Sequence, residues 1–326
     1  MANIREIAEK AGVGIATVSR YLNDTGYVSD QVKAKIQKEI EESNYKPNAL
    51  ARAIFTKNSK TIGLIVPNIC NPFFNQIASV IEENANNMGY TIFLCNTDDN
   101  AEKERNYLEV LQSNRVAGII VARSKCEEVY SHIEIPVISF ESYISDKIIT
   151  VSSDNYNGGK IAFEHLYECG CRNILHVRGP KSFEATEERY RGFSDGAREK
   201  NLEIDFIELE SDFQVKMIDS NIEGFNKISK YDGIFVFNDI AAATVMKFLK
   251  QKEIKIPEEV QIVGFDNSFI CELLHPSLTT ISQPIQQIGT AIIELLFKLI
   301  NGEDVPIKDH FMKTELINRE TTLPRR

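Results

Sequence analysis

Asn3-Ile4-Arg5-Glu6-Ile7-Ala8-Glu9-Lys10-Ala11-Gly12-Val13-Gly14-Ile15-Ala16-Thr17-Val18-Ser19-Arg20-Tyr21-Leu22 carries two short apolar stripes separated by a glycine. Ile4, Ile7, Ala8 and Ala11 recur at the three- and four-residue spacing of one helix face, and Asn3 with Glu6 three positions on forms a capping pair. Gly12 ends that helix. A second runs over about residues 15–22, with Val18 and Leu22 inward and Ala16, Thr17, Ser19 and Arg20 outward. Two short helices across the tight Ala11-Gly12-Val13 turn make a helix-turn-helix. Ser29 caps a third helix, whose Val32, Ile36 and Ile40 recur every four residues and close a small all-α core.

Groove dimensions supply the chemistry for such a unit. A helix fits the major groove, small side chains permit close approach, and an arginine can hold guanine O6 and N7 through two hydrogen bonds. Arg20 is therefore the base-reading candidate, with Thr17, Ser19 and Asn23 as phosphate or sugar contacts that position without specifying. Periodicity alone fits a plain three-helix bundle equally well. The next segment, Pro47-Asn48-Ala49-Leu50-Ala51-Arg52-Ala53-Ile54, shifts the balance. Pro47 suits a first helical position, but the segment is too short to form a stable helix alone in water. A short Ala-rich, Arg-bearing segment that orders when two copies meet on DNA can press an apolar side chain between base steps of the minor groove.

The run from Ile4 to Ile54, with Ala16-Thr17-Val18-Ser19-Arg20, Tyr45-Lys46-Pro47-Asn48-Ala49-Leu50-Ala51-Arg52 and then Lys60-Thr61-Ile62-Gly63-Leu64-Ile65, resembles the lactose-repressor (LacI/GalR) family of transcription regulators, and the resemblance extends over essentially the whole chain. It implies that Ile15, Ala16 and Arg20 read bases. It also implies that Asn48, Ala51, Arg52 and Ile54 belong to the hinge on DNA, with Ile54 standing where the family usually has a leucine wedge.

Length and charge agree with a small head on a larger body. At 326 residues the chain exceeds one ordinary domain. Residues 1–60 hold ten Lys/Arg against seven Asp/Glu, whereas the remainder holds 27 against 40. A mildly basic head on an acidic body suits a DNA reader joined to a sensor, because only the head must displace counterions from phosphate. The six cysteines lack a metal-ligand rhythm and no long apolar run is present, so reduced, mostly buried thiols in a cytoplasmic protein are expected. Cys169-Gly170-Cys171 lacks the two-residue spacer of a redox or metal pair.

From Thr61 onward short apolar runs alternate with helical stretches. Ile62–Val66, Thr91–Leu94, Gly118–Val121 and Pro136–Ser139 suit buried parallel strands, and a second series follows at Asn173–Val177, Gly233–Phe237 and Gln261–Phe265. Two such series predict two doubly wound parallel-sheet α/β lobes, whose ligands gather beyond the carboxyl ends of the strands. Phe73, Phe74, Arg189, Asn238 and Asp266 fall at those ends, Asp154 follows a further strand near Val151, and Gln283 lies at the end of Thr279–Ser282. Amides, carboxylates and a guanidinium can hold neighbouring hydroxyls while phenylalanine faces cover the apolar side of a sugar ring.

The family's core is similar to periplasmic sugar-binding proteins, and the pattern here most resembles ribose-type operon repressors. That resemblance implies an effector site containing Phe73, Phe74, Arg189, Phe213, Asn238, Asp266 and Gln283. After the fourth strand, ribose binders carry an Asp-Arg pair where this chain has Phe140-Glu141-Ser142. Glu141 then joins the candidates, and the lost guanidinium points to a pentose-like sugar other than ribose, or to a sugar phosphate.

The expected division is a helix-turn-helix domain over 1–46, a hinge over 47–59 and an effector-binding and dimerisation core over 60–326. The chain is expected to cross between lobes near 154–160, 282–286 and 312–318. With no added heptad tail after the core, a homodimer on a palindromic operator is expected. No P-loop, HExxH motif or nucleophile elbow occurs and the five histidines are dispersed, so neither catalysis nor a cofactor or metal is expected. Two alternatives remain open at this point: a regulator whose co-regulator is a phosphoprotein, and a sugar-binding receptor.

Overall fold

The computed structural model describes residues 3–23, 25–43, 45, 59–209, 225 and 227–323, with the side chain of Asn23 left out. Asn48, Ala51, Arg52, Ile54 and Phe213 lie outside the described residues.

The head is three helices, α1 (Ile4–Ala11), α2 (Ile15–Asn23) and α3 (Asp30–Ser43). Asn3 caps α1, its side-chain oxygen accepting from the backbone N–H of Arg5 at 3.0 Å and Glu6 at 3.1 Å, while its amide donates to Glu6. Gly12 ends α1 in the left-handed region at φ +66°, where a side chain would be strained. Ile7, Ala8, Ala11, Val18 and Ile36 form the buried centre, with Leu22, Val32 and Ile40 packed around it.

The core has two six-stranded sheets. The amino lobe contains β1 (Thr61–Val66), β2 (Thr91–Asn96), β3 (Gly118–Val121), β4 (Val137–Phe140), β5 (Ile149–Ser153) and, from the end of the chain, β11 (His310–Met312). Their order is β11-β5-β4-β3-β1-β2, all parallel. The carboxy lobe contains β6 (Ile174–Arg178), β7 (Asp205–Glu208), β8 (Gly233–Val236), β9 (Gln261–Asp266), β10 (Thr279–Ser282) and β12 (Glu315–Ile317). Their order is β12-β10-β9-β8-β6-β7, with only β12 antiparallel.

Strand alternation covers both faces of each sheet. Ile62, Leu64 and Val66 enter the cluster under α4 (Pro72–Asn87) and α11 (Ile285–Ile300), whereas Ile65 enters the opposite cluster under α5 (Ala101–Ser113). In the carboxy lobe Phe235 faces α7 (Asn155–Glu168) and α8 (Glu184–Glu199), and Ile234 and Val236 face α9 (Asp239–Gln251). The chain passes between lobes three times: after β5 into α7, after β10 into α11, and between β11 and β12.

β7, β11 and β12 were not among the strands expected from the sequence. Each has three or four residues, and their side chains are mostly exposed or half-buried, so no continuous apolar run marks them. They are edge strands, each paired on one side only.

Candidate functional site

The strand ends of both lobes face one another across a cavity of about 290 Å³, lined by Phe73, Phe74, Glu141, Arg189, Asn238, Asp266 and Gln283 among others. Seven of the nine residues expected at an effector site therefore share one cavity. Asp154 does not: its carboxylate accepts from the Asn157 backbone N–H at 2.9 Å and caps α7, and it lines a neighbouring cavity beyond Glu141. A strand-end position suits a helix cap as well as a ligand contact, and here the cap prevails.

Arg189, on α8, is the hub. Its Nε donates to Asn155 Oδ1 at 2.8 Å and its Nη1 to the Phe237 carbonyl at 2.6 Å, while Asp266 lies 3.7 Å and Glu141 3.8 Å away. The guanidinium lies over the Phe265 ring, 3.6 Å from its centroid. Asp266 Oδ1 accepts from Gln283 Nε2 at 2.6 Å, and Gln283 Oε1 accepts from the Ser153 hydroxyl at 2.6 Å. Glu141 accepts from the Ser153 backbone N–H at 2.9 Å and from the Asn155 amide at 3.3 Å. One connected network thus runs from the amino-lobe strand ends at Glu141 and Ser153 to the carboxy-lobe strand end at Asp266.

Two backbones are strained to place the carboxylates. Glu141 has φ +59° and Asp266 φ +109°, a region costly to non-glycine residues and found where the surrounding fold over-determines the chain. Burial pushes both carboxyl pKa values up, Asp266 more strongly, against the pull of Arg189. The amide oxygen of Asn238 caps α9 by accepting from the Ala241 N–H at 2.8 Å. Phe73 and Phe74, fixed by Asn71 capping α4, meet edge to face with centroids 5.2 Å apart and form the apolar wall.

Sequence reading missed Asn155, which orients Arg189, and Arg123 and Phe183, which also line the cavity. Asn155 is legible only as a polar residue beside a helix start. Arg123 and Phe183 sit on loops that topology alone does not bring together.

In the head, Ile15, Ala16 and Arg20 are exposed on α2, and Thr17 and Ser19 are half-buried. Ile15, the first residue of α2, is an apolar side chain 45% exposed. No helix among the described residues is long and apolar enough to cross a membrane.

A helix-turn-helix head joined to a two-lobed core with a polar, network-lined cleft defines a ligand-responsive DNA-binding regulator. Residues 3–48 match the family described as bacterial regulatory proteins, lacI family, and residues 163–322 match the periplasmic binding protein-like domain. The ribose operon repressor of Halalkalibacterium halodurans is 39% identical over 99% of this chain and 97% of its own length. The chain belongs to the LacI family of transcription repressors and is not an enzyme. A solved LacI-type regulator from Alkaliphilus metalliredigens, complexed with D-xylulofuranose, is 68% identical, with a TM-score of 0.79 over 81% of this chain and 99% of that one. The lac repressor dimer bound to operator has the same fold over 99% of both chains, with a TM-score of 0.87 at 23% identity.

Proposed function

We propose that this sugar-controlled repressor senses an unphosphorylated ketopentose in its furanose form, with D-xylulose as the leading candidate. The observation that carries the reading is the charge of the cavity. Glu127, Glu141, Glu184 and Asp266 line it against Arg123 and Arg189, and both arginines already face carboxylates: Asp99 for Arg123, Glu141 and Asp266 for Arg189. Burial, with Glu128, Glu184 and Glu104 nearby, raises the pKa of Glu127, the direction expected where negative charge is already crowded. A phosphate dianion would meet net repulsion there. A neutral polyol meets carboxylate and amide acceptors and donors at hydroxyl spacing, in a volume at the lower end of the roughly 300–1,000 Å³ of ligand pockets. The Glu141-Ser142 pair, in place of the Asp-Arg of ribose binders, argues against ribose, and the D-xylulofuranose complex of the 68%-identical regulator supports a related pentose.

Sugar bound across the lobes favours one angle between them, with the three inter-lobe crossings as hinges. In a homodimer this angle sets the spacing of the two heads, and with it whether both 47–59 segments can order on a palindromic operator. Asn48, Ala51, Arg52 and Ile54 would act there, and Ile15, Ala16 and Arg20 in the major groove. Calorimetric titration of the full-length protein with D-xylulose, D-ribose and D-xylulose 5-phosphate, alongside operator binding with each sugar, tests the reading. D-xylulose is expected to bind tightest and to change operator affinity. Tighter binding of the phosphate would overturn the choice of a neutral sugar, and no heat with any sugar would favour a protein co-regulator.

A further inference from the structure

The two lobes also touch at the rim of the cavity, away from the Arg189 network. Phe183 lies immediately before α8 on the carboxy lobe and is 8% exposed. Arg123 lies just beyond β3 on the amino lobe, with its side chain 12% exposed. Its guanidinium carbon is 3.6 Å from the Phe183 ring centroid, and Lys125 Nζ, from the same loop, is 4.4 Å from it. The guanidinium is pinned from behind by Asp99, Nε donating to Oδ1 at 3.0 Å and Nη2 to Oδ2 at 2.7 Å. Beside Phe183, Glu184 Oε2 accepts from the backbone N–H of Tyr143 at 2.9 Å, a second contact between lobes.

We propose that Phe183, gripped by Arg123 and Lys125, is the latch that holds the lobes closed over a bound sugar, so that these residues set how long the effector is retained. A cation over a ring needs close approach but little angular alignment, and its attraction grows as water is excluded. Contacts of that kind open and re-form readily while the cleft is empty, but over a bound sugar they must break before it leaves. They therefore act on release more than on entry. The bidentate hold of Asp99 keeps the Arg123 plane ready, so little side-chain freedom is lost when the ring arrives.

The inference rests on the sugar reading above, and its test separates the two. Association and release of D-xylulose are followed by stopped-flow tyrosine fluorescence on the intact protein, which has no tryptophan. Phe183→Leu keeps apolar bulk but removes the ring face. It is expected to speed release about tenfold with association changed less than about twofold. In an R123M/K125M background the same substitution is expected to change release less than about twofold, because its partners are already gone. Release unchanged in a folded F183L protein, or effects that simply multiply, would overturn the latch. Amide exchange at Tyr143 gives a readout without ligand: F183L is expected to speed it. If the unsubstituted protein binds no D-xylulose, the sugar reading fails, and unchanged Tyr143 exchange in F183L then overturns the latch independently.

Discussion

Arg189 illustrates how much a single residue holds in place. Removing one partner from a buried, hydrogen-bonded charge leaves the rest uncompensated, which costs more than the pair contributes when intact. Asp266→Ala is therefore expected to abolish the sugar response while operator binding without sugar is retained; a normal calorimetric isotherm for this variant would remove Asp266 from the site. In the head, Arg20→Ala is expected to relax base preference, costing about 1 to 3 kcal/mol at the correct operator for a lost bidentate contact. Undiminished discrimination between operator variants would count against that role. His176 makes a different point: it is fully buried against Phe193 and Phe235, and neither ring nitrogen has a hydrogen-bond partner among the described residues. Burial, with Arg178 and Arg189 nearby, keeps its pKa well below the usual 6.5. As pH falls through 6.5 the unfolded chain takes up this proton and the folded chain does not, so stability is lost toward acid. His176→Phe is expected to flatten that dependence by up to about 1.4 kcal/mol per pH unit, measured by urea unfolding between pH 7 and 5. Of these residues Arg20, Arg189 and Asp266 are legible in sequence, because a helix face or a strand end marks them. His176 reads only as one residue of an apolar run.

At the scale of elements, the crossing of α7 and α8 positions the hub. A Cβ on Gly159 would lie 2.1 Å from the Arg189 carbonyl oxygen, and one on Gly192 would lie 1.8 Å from that of Tyr156. Backbone approaches backbone at both points, so neither helix can yield by turning a side chain. That close crossing brings Asn155 at the start of one helix to Arg189 on the other. Gly192→Ala is expected to destabilise the core by about 1 to 3 kcal/mol or more through overpacking, and to weaken sugar binding as well by moving Arg189 away from Asn155. Loss of stability with unchanged sugar affinity would show that the crossing does not position the site. The glycines are visible in the sequence, but inside a helical pattern they signal only lowered propensity; which backbone they admit is a property of the packed pair.

Over the whole molecule, charge separates the two binding events. The basic head meets phosphate, and operator affinity is expected to fall steeply with salt, because counterions released on binding gain less when the bulk salt is already high. A neutral sugar carries no charge of its own and releases no counterions on entering the cleft. Its affinity is expected to change little between 50 and 200 mM salt, whereas a sugar phosphate would show a clear dependence. Parallel salt titrations of the two ligands check both expectations.

By itself the sequence determined the head, the two α/β lobes, the family and most strand-end residues of the cleft, because each is written in local period or in a contiguous run. Helix faces and buried strands depend on neighbours a few positions away. Only tertiary structure decided that Asp154 caps α7 instead of lining the cavity, that Asn155 orients Arg189, and that Arg123 meets Phe183 across the lobes. These depend on how two separately folded sheets are set against each other by three crossings, and that distance is encoded in no single stretch of chain.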